Sequence, residues 1–465
     1  MARDPQAIPT GKARRATKTT AALAPSTVRF FGTLATNVAR SPESAQQILE
    51  RRHEEIADHA LEVLGTLRGG AMKLGQLASF VDVDILPPEY RAIYQRKLAE
   101  LRDAAPPMSW KKVRRVLEAE WEEPVESLFE AFEPEAAAAA SIGQVHRAVL
   151  PGGRRVAVKV QYPEVADALA SDVEVAAIGV HLARALAPGL DPRAVMHELR
   201  ERILEELDYE LEAQHQRAFA RAYRDHPFAF VPAVHTALCR RRVLVSDWVE
   251  GRRFEEILAL PQAERDRVGE IIDRFFFGSM YRCSRFNTDP HPGNYLLAED
   301  GRMAFLDFGS TKVVDPAWLA AGDRTMAALI DGDAARFRDE VGHLGYLHRP
   351  DHIDADLLLA QAQATGEWFL HDEVRTIDSD YVGRVSARLL DLSPQIVRQA
   401  RAMKVPPEEV WFRRLQVGVF AVLGHLRATA NWHRIMRQYI FEEEPSTELG
   451  RLDWAFWADR LPSRP

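Results

Sequence analysis

The run FNTDPHPGNYLL at 286–297, followed by FLDFG at 305–309, constrains this chain more than any other feature. It sets Asp289 five residues before Asn294 and places Asp307 a short distance downstream. The intervening YLLAEDGRMAFLDFG reads as strand, Glu-Asp-Gly turn, strand, with Asp307 at the exit of the second strand. DxxxxN alone recurs by chance, and DFG alone closes many strands with a turn. The two in this order, joined by a hairpin, have the spacing of the metal site in kinase-like phosphoryl transfer.

The chemistry accounts for the residue types. Phosphoryl transfer asks little covalent work of a protein, so positioning and charge neutralisation dominate. Mg²⁺ prefers oxygen ligands and keeps several waters, so one or two side-chain oxygens and the phosphates of ATP complete its shell. Asn294 and Asp307 suit that role. Asp289 then faces an acceptor hydroxyl or water as base or orienting group. The expected fold is α+β and bilobal, protein-kinase-like, with a small antiparallel β lobe carrying a long helix and a larger helical lobe.

A nucleotide-binding lobe is expected upstream. HRAVLPGGRRVAVKVQYP at 146–163 reads as two strands joined by a Pro-Gly-Gly turn, the second carrying Lys159 among Val156, Val158 and Val160. A lysine in so apolar a strand requires a partner. The acidic stretch 193–221, with Val195, Leu199, Ile203, Leu207 and Leu211 recurring every four residues, reads as the helix that supplies one. Glu205, Glu206, Asp208, Glu210 and Glu212 all qualify, and spacing does not choose among them. Where a glycine-rich loop covers the phosphates in ordinary kinases, this chain has AAAAASIGQ, including Ala140, Ser141, Gly143 and Gln144. Alanines restrict φ, so this modified phosphate loop is stiffer.

These residues resemble the UbiB/AarF family of atypical kinases, associated with ubiquinone and related isoprenoid-quinone metabolism. The marks are AMKLGQLAS with Lys73, Gly75 and Gln76, then AAASIGQVHRA, VAVKV, EELDYELEA with Glu206, Asp208 and Glu212, DPHPGN and DFG. All occur in order, over roughly residues 45–345. The resemblance implies that Lys159 pairs with Glu212, one turn below Asp208 on the same helical face. It implies that Lys73 and Gln76, from a helical N-terminal extension carrying KxGQ, fold over the active site near Glu206 and Asp208. Lys73 joins Asp289 and Lys159 as a catalytic candidate. Ala140, Ser141, Gly143, Gln144, Gln76, Glu206, Asp208 and Glu212 line the nucleotide, with ATP and Mg²⁺ as cofactors. An isoprenoid-quinone precursor or lipid, and quinone-biosynthesis enzymes, are the implied partners. Two departures stand out: Phe286, Asn287 and Thr288 precede the catalytic Asp, and no long activation loop follows DFG.

Length and composition fit. With 465 residues, 46% hydrophobic and 28% charged, the chain suits about three domain-sized units. A net charge of −8 gives no support to nucleic-acid binding. Two cysteines, Cys239 and Cys283, build neither a disulfide framework nor a zinc site, and suit a reducing cytoplasmic setting. Residues 1–40 form a basic, acid-poor arm, read as disordered, with a transit peptide or peripheral contact to an anionic membrane as the alternatives. No run of about 20 apolar residues spans a bilayer. The expected organisation is this arm, an extension over 41–130, a small lobe over 131–248 and a helical lobe over 249–465. Three functions follow: a Mg-ATP-dependent kinase or ATPase of the UbiB type, a small-molecule phosphotransferase, and a nucleotide-binding scaffold without turnover.

Overall fold

The computed structural model describes residues 108–140, 142–163, 165, 205, 207–389, 394–404, 406–458 and 460. Lys73, Gln76, Ser141, Glu206 and the arm at 1–40 lie outside the described residues.

Two hydrophobic cores organise the chain. In the smaller, helix α1 (Trp110–Trp121) buries Val113, Val116, Leu117 and Trp121, an i, i+3, i+4 stripe that marks one helical face. The segment read as the end of the extension thus packs into the small lobe. After α2 (Val125–Leu128) come β1 (Ala131–Phe132), β2 (Ala138–Ala140), β3 (Gly143–Leu150) and β4 (Arg154–Gln161). With β6 (Val243–Asp247) they form an antiparallel sheet in the order β1-β3-β4-β6, with β2 also paired to β3. The Pro-Gly-Gly turn closes β3 on β4 with Gly152 and Gly153 at positive φ, where a Cβ would be strained.

Val156, Val158 and Val160 are fully buried, and Lys159 lies between them on the opposite face. Directly opposed residues of an antiparallel pair share a face. Val145, opposite Lys159, therefore joins the lysine's face, whereas Gln144 and His146, opposite Val160 and Val158, join the valine core.

Helix α3 (Tyr209–Ala222) runs from the small core, where Tyr209 and Ala213 are buried, to the large one, where Phe219 is buried. The helix read over 193–221 is corrected at its described start. Asp208 is extended and caps α3, its carboxylate accepting from the Glu210 and Leu211 amides, so it does not share a helical face with Glu212.

The larger lobe opens with β5 (Ala229–Phe230), which pairs in parallel with β9, then α4 (Phe254–Leu258) and the central helix α5 (Gln262–Cys283). Residues 268–280 of α5 are buried all round, as befits a helix enclosed by other elements. Strands β7 (Arg285–Asn287), β8 (Tyr295–Leu297), β9 (Met303–Phe305) and β10 (Thr311–Val313) follow, β8 and β9 forming the expected hairpin and β7 pairing with β10. Helix α6 (Pro316–Asp331) begins at once after β10, capped by Asp315. The rest is mainly helical: α7 (Ala334–His343), α8 (Ala355–Leu370), α9 (Ser379–Leu389), α10 (Pro394–Ala400), α11 (Pro407–Leu426), α12 (Trp432–Ile440) and α13 (Glu448–Ala458), with a short β11 (Arg375–Thr376) and β12 (Thr429–Ala430) ribbon.

Candidate active site

Three elements converge on Lys159. From β4 its Nζ donates to Glu212 Oε1 at 2.8 Å and Oε2 at 3.0 Å on α3, and to Asp307 Oδ2 at 3.0 Å just beyond β9. Nζ also lies 5.0 Å from the Tyr209 ring centroid. An ammonium this buried costs several kcal/mol unless paired. Burial works to lower the Lys159 pKa, but Asp307 and Glu212 outweigh it and hold the lysine well above its ordinary value. Burial pushes the Glu212 carboxyl up against the pull of Lys159, and the second negative charge on Asp307 adds to that push. One ammonium shared by two carboxylates leaves the cluster one negative charge in excess, which favours a cation.

The five carboxylates that spacing left open are separated by geometry. Glu212 meets Lys159, Glu205 reaches Lys312 Nζ at 3.3 Å, Asp208 caps α3, and Glu210 is exposed. Glu206 lies outside the described residues.

The loop after β7 brings Asp289 and Asn294 together. Asn294 Nδ2 donates to Asp289 Oδ2 at 2.9 Å, which turns Oδ1 of the amide away from Asp289. Asn294's carbonyl accepts from the Leu306 amide at 2.8 Å, tying the loop to the strand that delivers Asp307. Asn287 supports both sides, donating to the Asp307 carbonyl at 2.6 Å and accepting from the Asp289 amide at 2.9 Å. Thr288 pairs with Ser310 in the same way. The unusual Phe-Asn-Thr thus cross-links the Asp289 loop to the Asp307 turn. His291 Nδ1 accepts from the Gly293 amide at 3.0 Å, a contact within the turn.

One residue escaped the sequence reading. Arg414, on α11, donates from Nη2 to Asp289 Oδ1 at 2.9 Å, so both carboxylate oxygens of Asp289 are held. Helix α11 lies against the loop along one face. Trp411 stacks under Lys312, 5.3 Å from Nζ to ring centroid, and Gly418 makes room for Pro290. A Cβ on Gly418 would stand 2.4 Å from Pro290 Cγ.

The alanine-rich segment forms a hairpin, Ala140 opposite Gly143. Gly143 is required by close approach, since a Cβ there would lie 2.1 Å from the Val160 carbonyl oxygen. Gln144 is one of the residues that the resemblance sets beside the nucleotide. Its side chain is buried on the core face, accepting from the Met108 amide at 2.7 Å and contacting His146 Nε2 at 2.8 Å. A one-residue step along a strand reverses the face, which is why Gln144 and Val145 look in opposite directions.

A family model, the ABC1 atypical kinase-like domain, matches residues 100–340. The chain belongs to this family. It is 28% identical to the Caenorhabditis elegans protein named atypical kinase coq-8, mitochondrial, over 408 residues, 84% of this chain and 52% of that protein. It is 29% identical to the Rattus norvegicus atypical kinase COQ8B, mitochondrial, over 389 residues, 81% of this chain and 70% of that protein. The chain therefore spans only about half of the worm protein's length. Among solved structures, the Mycobacterium tuberculosis protein Rv3197, in complex with erythromycin, superposes with a TM-score of 0.60 at 30% identity, covering 85% of this chain and 98% of that one.

The bilobal fold agrees with membership of the ABC1 family. Arg414 and Gly418 lie beyond the matched residues, so the ABC1 domain's loop is completed by a helix outside it. Among the described residues no group of three or more His, Cys, Asp or Glu side chains gathers for a metal. The oxygens of Asp307 and Asn294, beside a cluster with negative charge in excess, fit a hard cation that takes the rest of its shell from water and phosphate. No helix among the described residues is long and apolar enough to cross a membrane.

Proposed function

We propose that this chain is a Mg-ATP-dependent atypical kinase or ATPase that supports isoprenoid-quinone, ubiquinone-like, lipid metabolism. The observation that carries the reading is Lys159 bonded to both Glu212 and Asp307, beside an Asp289 whose two oxygens are held by Asn294 and Arg414. Lys159, paired with Glu212, would contact the nucleotide phosphates, with the stiff alanine hairpin around Ala140 and Gly143 covering them. Asn294 and Asp307 would hold Mg²⁺, which when bound neutralises phosphate charge. Asp289 would orient the acceptor hydroxyl or water and take its proton. Lys73 and Gln76 would close the cleft over Glu206 and Asp208. The quinone setting rests on the relatives named COQ8 and on the motif set.

The test is Mg²⁺-dependent phosphate release from ATP, with and without anionic vesicles and a phenolic quinone precursor, for wild type and Asp307→Asn. Release that needs Mg²⁺ and collapses in the variant supports the reading. Nucleotide binding without release under any addition leaves a scaffold instead. A small-molecule phosphotransferase is the second reading, favoured by the erythromycin complex of the Mycobacterium protein, and a macrolide acceptor arm in the same assay decides it. Contact of the basic arm 1–40 with a membrane is tested by co-sedimentation with anionic vesicles after deleting those residues.

A further inference from the structure

The C-terminal helix α13 grips the end of α3 opposite to the nucleotide cleft. Asp453 Oδ1 contacts His226 Nε2 at 3.1 Å, both side chains being nearly or fully buried, and His226 lies just past α3. Trp457 Nε1 donates to the same Asp453 oxygen at 3.1 Å. The Trp457 ring meets Tyr223, the C-cap residue of α3, edge to face at 5.5 Å, and Phe456 meets His226 at 4.5 Å. Beyond the helix, Arg460 donates to the Arg224 carbonyl at 3.1 Å.

The other end of α13 is fixed to the large lobe. Thr447 bonds to Glu270 and accepts from Arg274 Nη2 at 3.0 Å, both on α5. Gly450 allows this docking, since a Cβ there would lie 2.6 Å from Arg274 Nη2. Helix α13 is therefore a strap from α5 to the tail of α3.

What α3 carries makes the strap matter. Glu212 and Tyr223 are eleven residues apart, about 16 Å along a rigid helix. Between them Phe219 packs on Phe308, the ring next to Asp307, with centroids 4.8 Å apart. The aromatic sequence Trp457, Tyr223, Phe219, Phe308 thus runs from the C-terminal helix to the turn that bears the metal aspartate, with Tyr223 and Phe219 linked through a 6.4 Å ring pair.

We infer that Asp453 and Trp457 are positioning residues: by clamping the C-terminal end of α3 they hold Glu212 and Phe308 where Lys159 and Asp307 meet. This rests on the reading of the cleft as a nucleotide site, but its structural arm does not need nucleotide. The full-length chain without ligand is compared with Trp457→Phe, which keeps an aromatic ring but loses the indole N–H and the second ring, and with Asp453→Ala. Backbone hydrogen exchange is followed by segment. Loss of a buried bond to a charged group predicts about ten- to hundredfold faster exchange in 209–222 and 305–309, with β3 and β4 unchanged. The KM for ATP rises in parallel with that loosening. Trp454→Ala, at a partly exposed position of the same helix, leaves both unchanged. Faster exchange confined to 448–458, or spread evenly over the chain, overturns the inference. Should Asp453→Ala fail to fold, Trp457→Phe decides alone. A wild type that never binds ATP defeats the nucleotide reading, while the exchange pattern still judges the clamp.

Discussion

Asp273 is fully buried in α5, and neither of its carboxylate oxygens finds a hydrogen-bond partner among the described residues. Burial raises its pKa from 3.8 to about 7, with Arg274 pulling down and Glu270 pushing up. In the unfolded chain the group returns to its ordinary value. Between the two values the folded protein holds a proton that the unfolded chain has released, so the contribution of Asp273 to stability is greatest below about pH 4 and falls as pH rises towards 7. A shift of about three units corresponds to about 4 kcal/mol lost by pH 8, at 1.36 kcal/mol per unit. Asp273→Asn keeps the shape and removes the titration. Urea unfolding at intervals from pH 4 to pH 8.5, followed by tryptophan fluorescence, should show the variant matching wild type at low pH and exceeding it by up to about 4 kcal/mol at pH 8. Parallel stability curves across this range would refute the reasoning, because a carboxyl ionised throughout in the folded state contributes no such slope.

Three further outcomes follow from the site. Arg414→Ala should lower turnover about ten- to hundredfold, the weight of one charge-assisted bond, with nucleotide affinity unchanged, read from steady-state phosphate release beside equilibrium ATP binding. Gly418→Ala drives a methyl into Pro290 and should cost about 1–3 kcal/mol of stability while lowering turnover, measured by urea unfolding and phosphate release. Gln144→Ala strips the partner from the half-buried Met108 amide and should cost about 1–3 kcal/mol without raising the KM for ATP; a KM increase at unchanged stability would place Gln144 in the cleft.

Legibility in the sequence followed the range of the signal. Both hairpins were readable because Pro151-Gly152-Gly153 and Asp300-Gly301 announce their turns and the strands beside them alternate or run apolar. Lys159 was readable because a charge among valines is rare. The choice of Glu212 came from the family resemblance and not from spacing, since five carboxylates within eight positions differ in no local property; the cap at Asp208, which starts the helix at the next residue, goes with Glu212 facing β4. The face that Gln144 takes was not legible, because a strand's face depends on register, and AAASIGQ contains no alternating pattern to set it. Arg414 stands 125 residues from Asp289 in an otherwise ordinary amphipathic helix, so no spacing rule links them.

That distance also bears on how the site is built. In protein kinases the segment after DFG folds into an ordered platform for a peptide, and its ordering is a common point of control. Here β10 follows Asp307 within four residues and α6 begins at Pro316, so the segment is spent on secondary structure at once. The Asp289 loop must then be supported from elsewhere, and α11 does so with Arg414 on the carboxylate and Gly418 on Pro290. The helix that carries Glu212 is braced likewise by α13 through Asp453 and Trp457. Both supports come from beyond residue 340, the end of the ABC1 match. A fragment ending there would keep Lys159, Asp289, Asn294 and Asp307 but lose the groups that hold the Asp289 loop and the end of α3. Its defect should therefore lie in the geometry of otherwise intact residues.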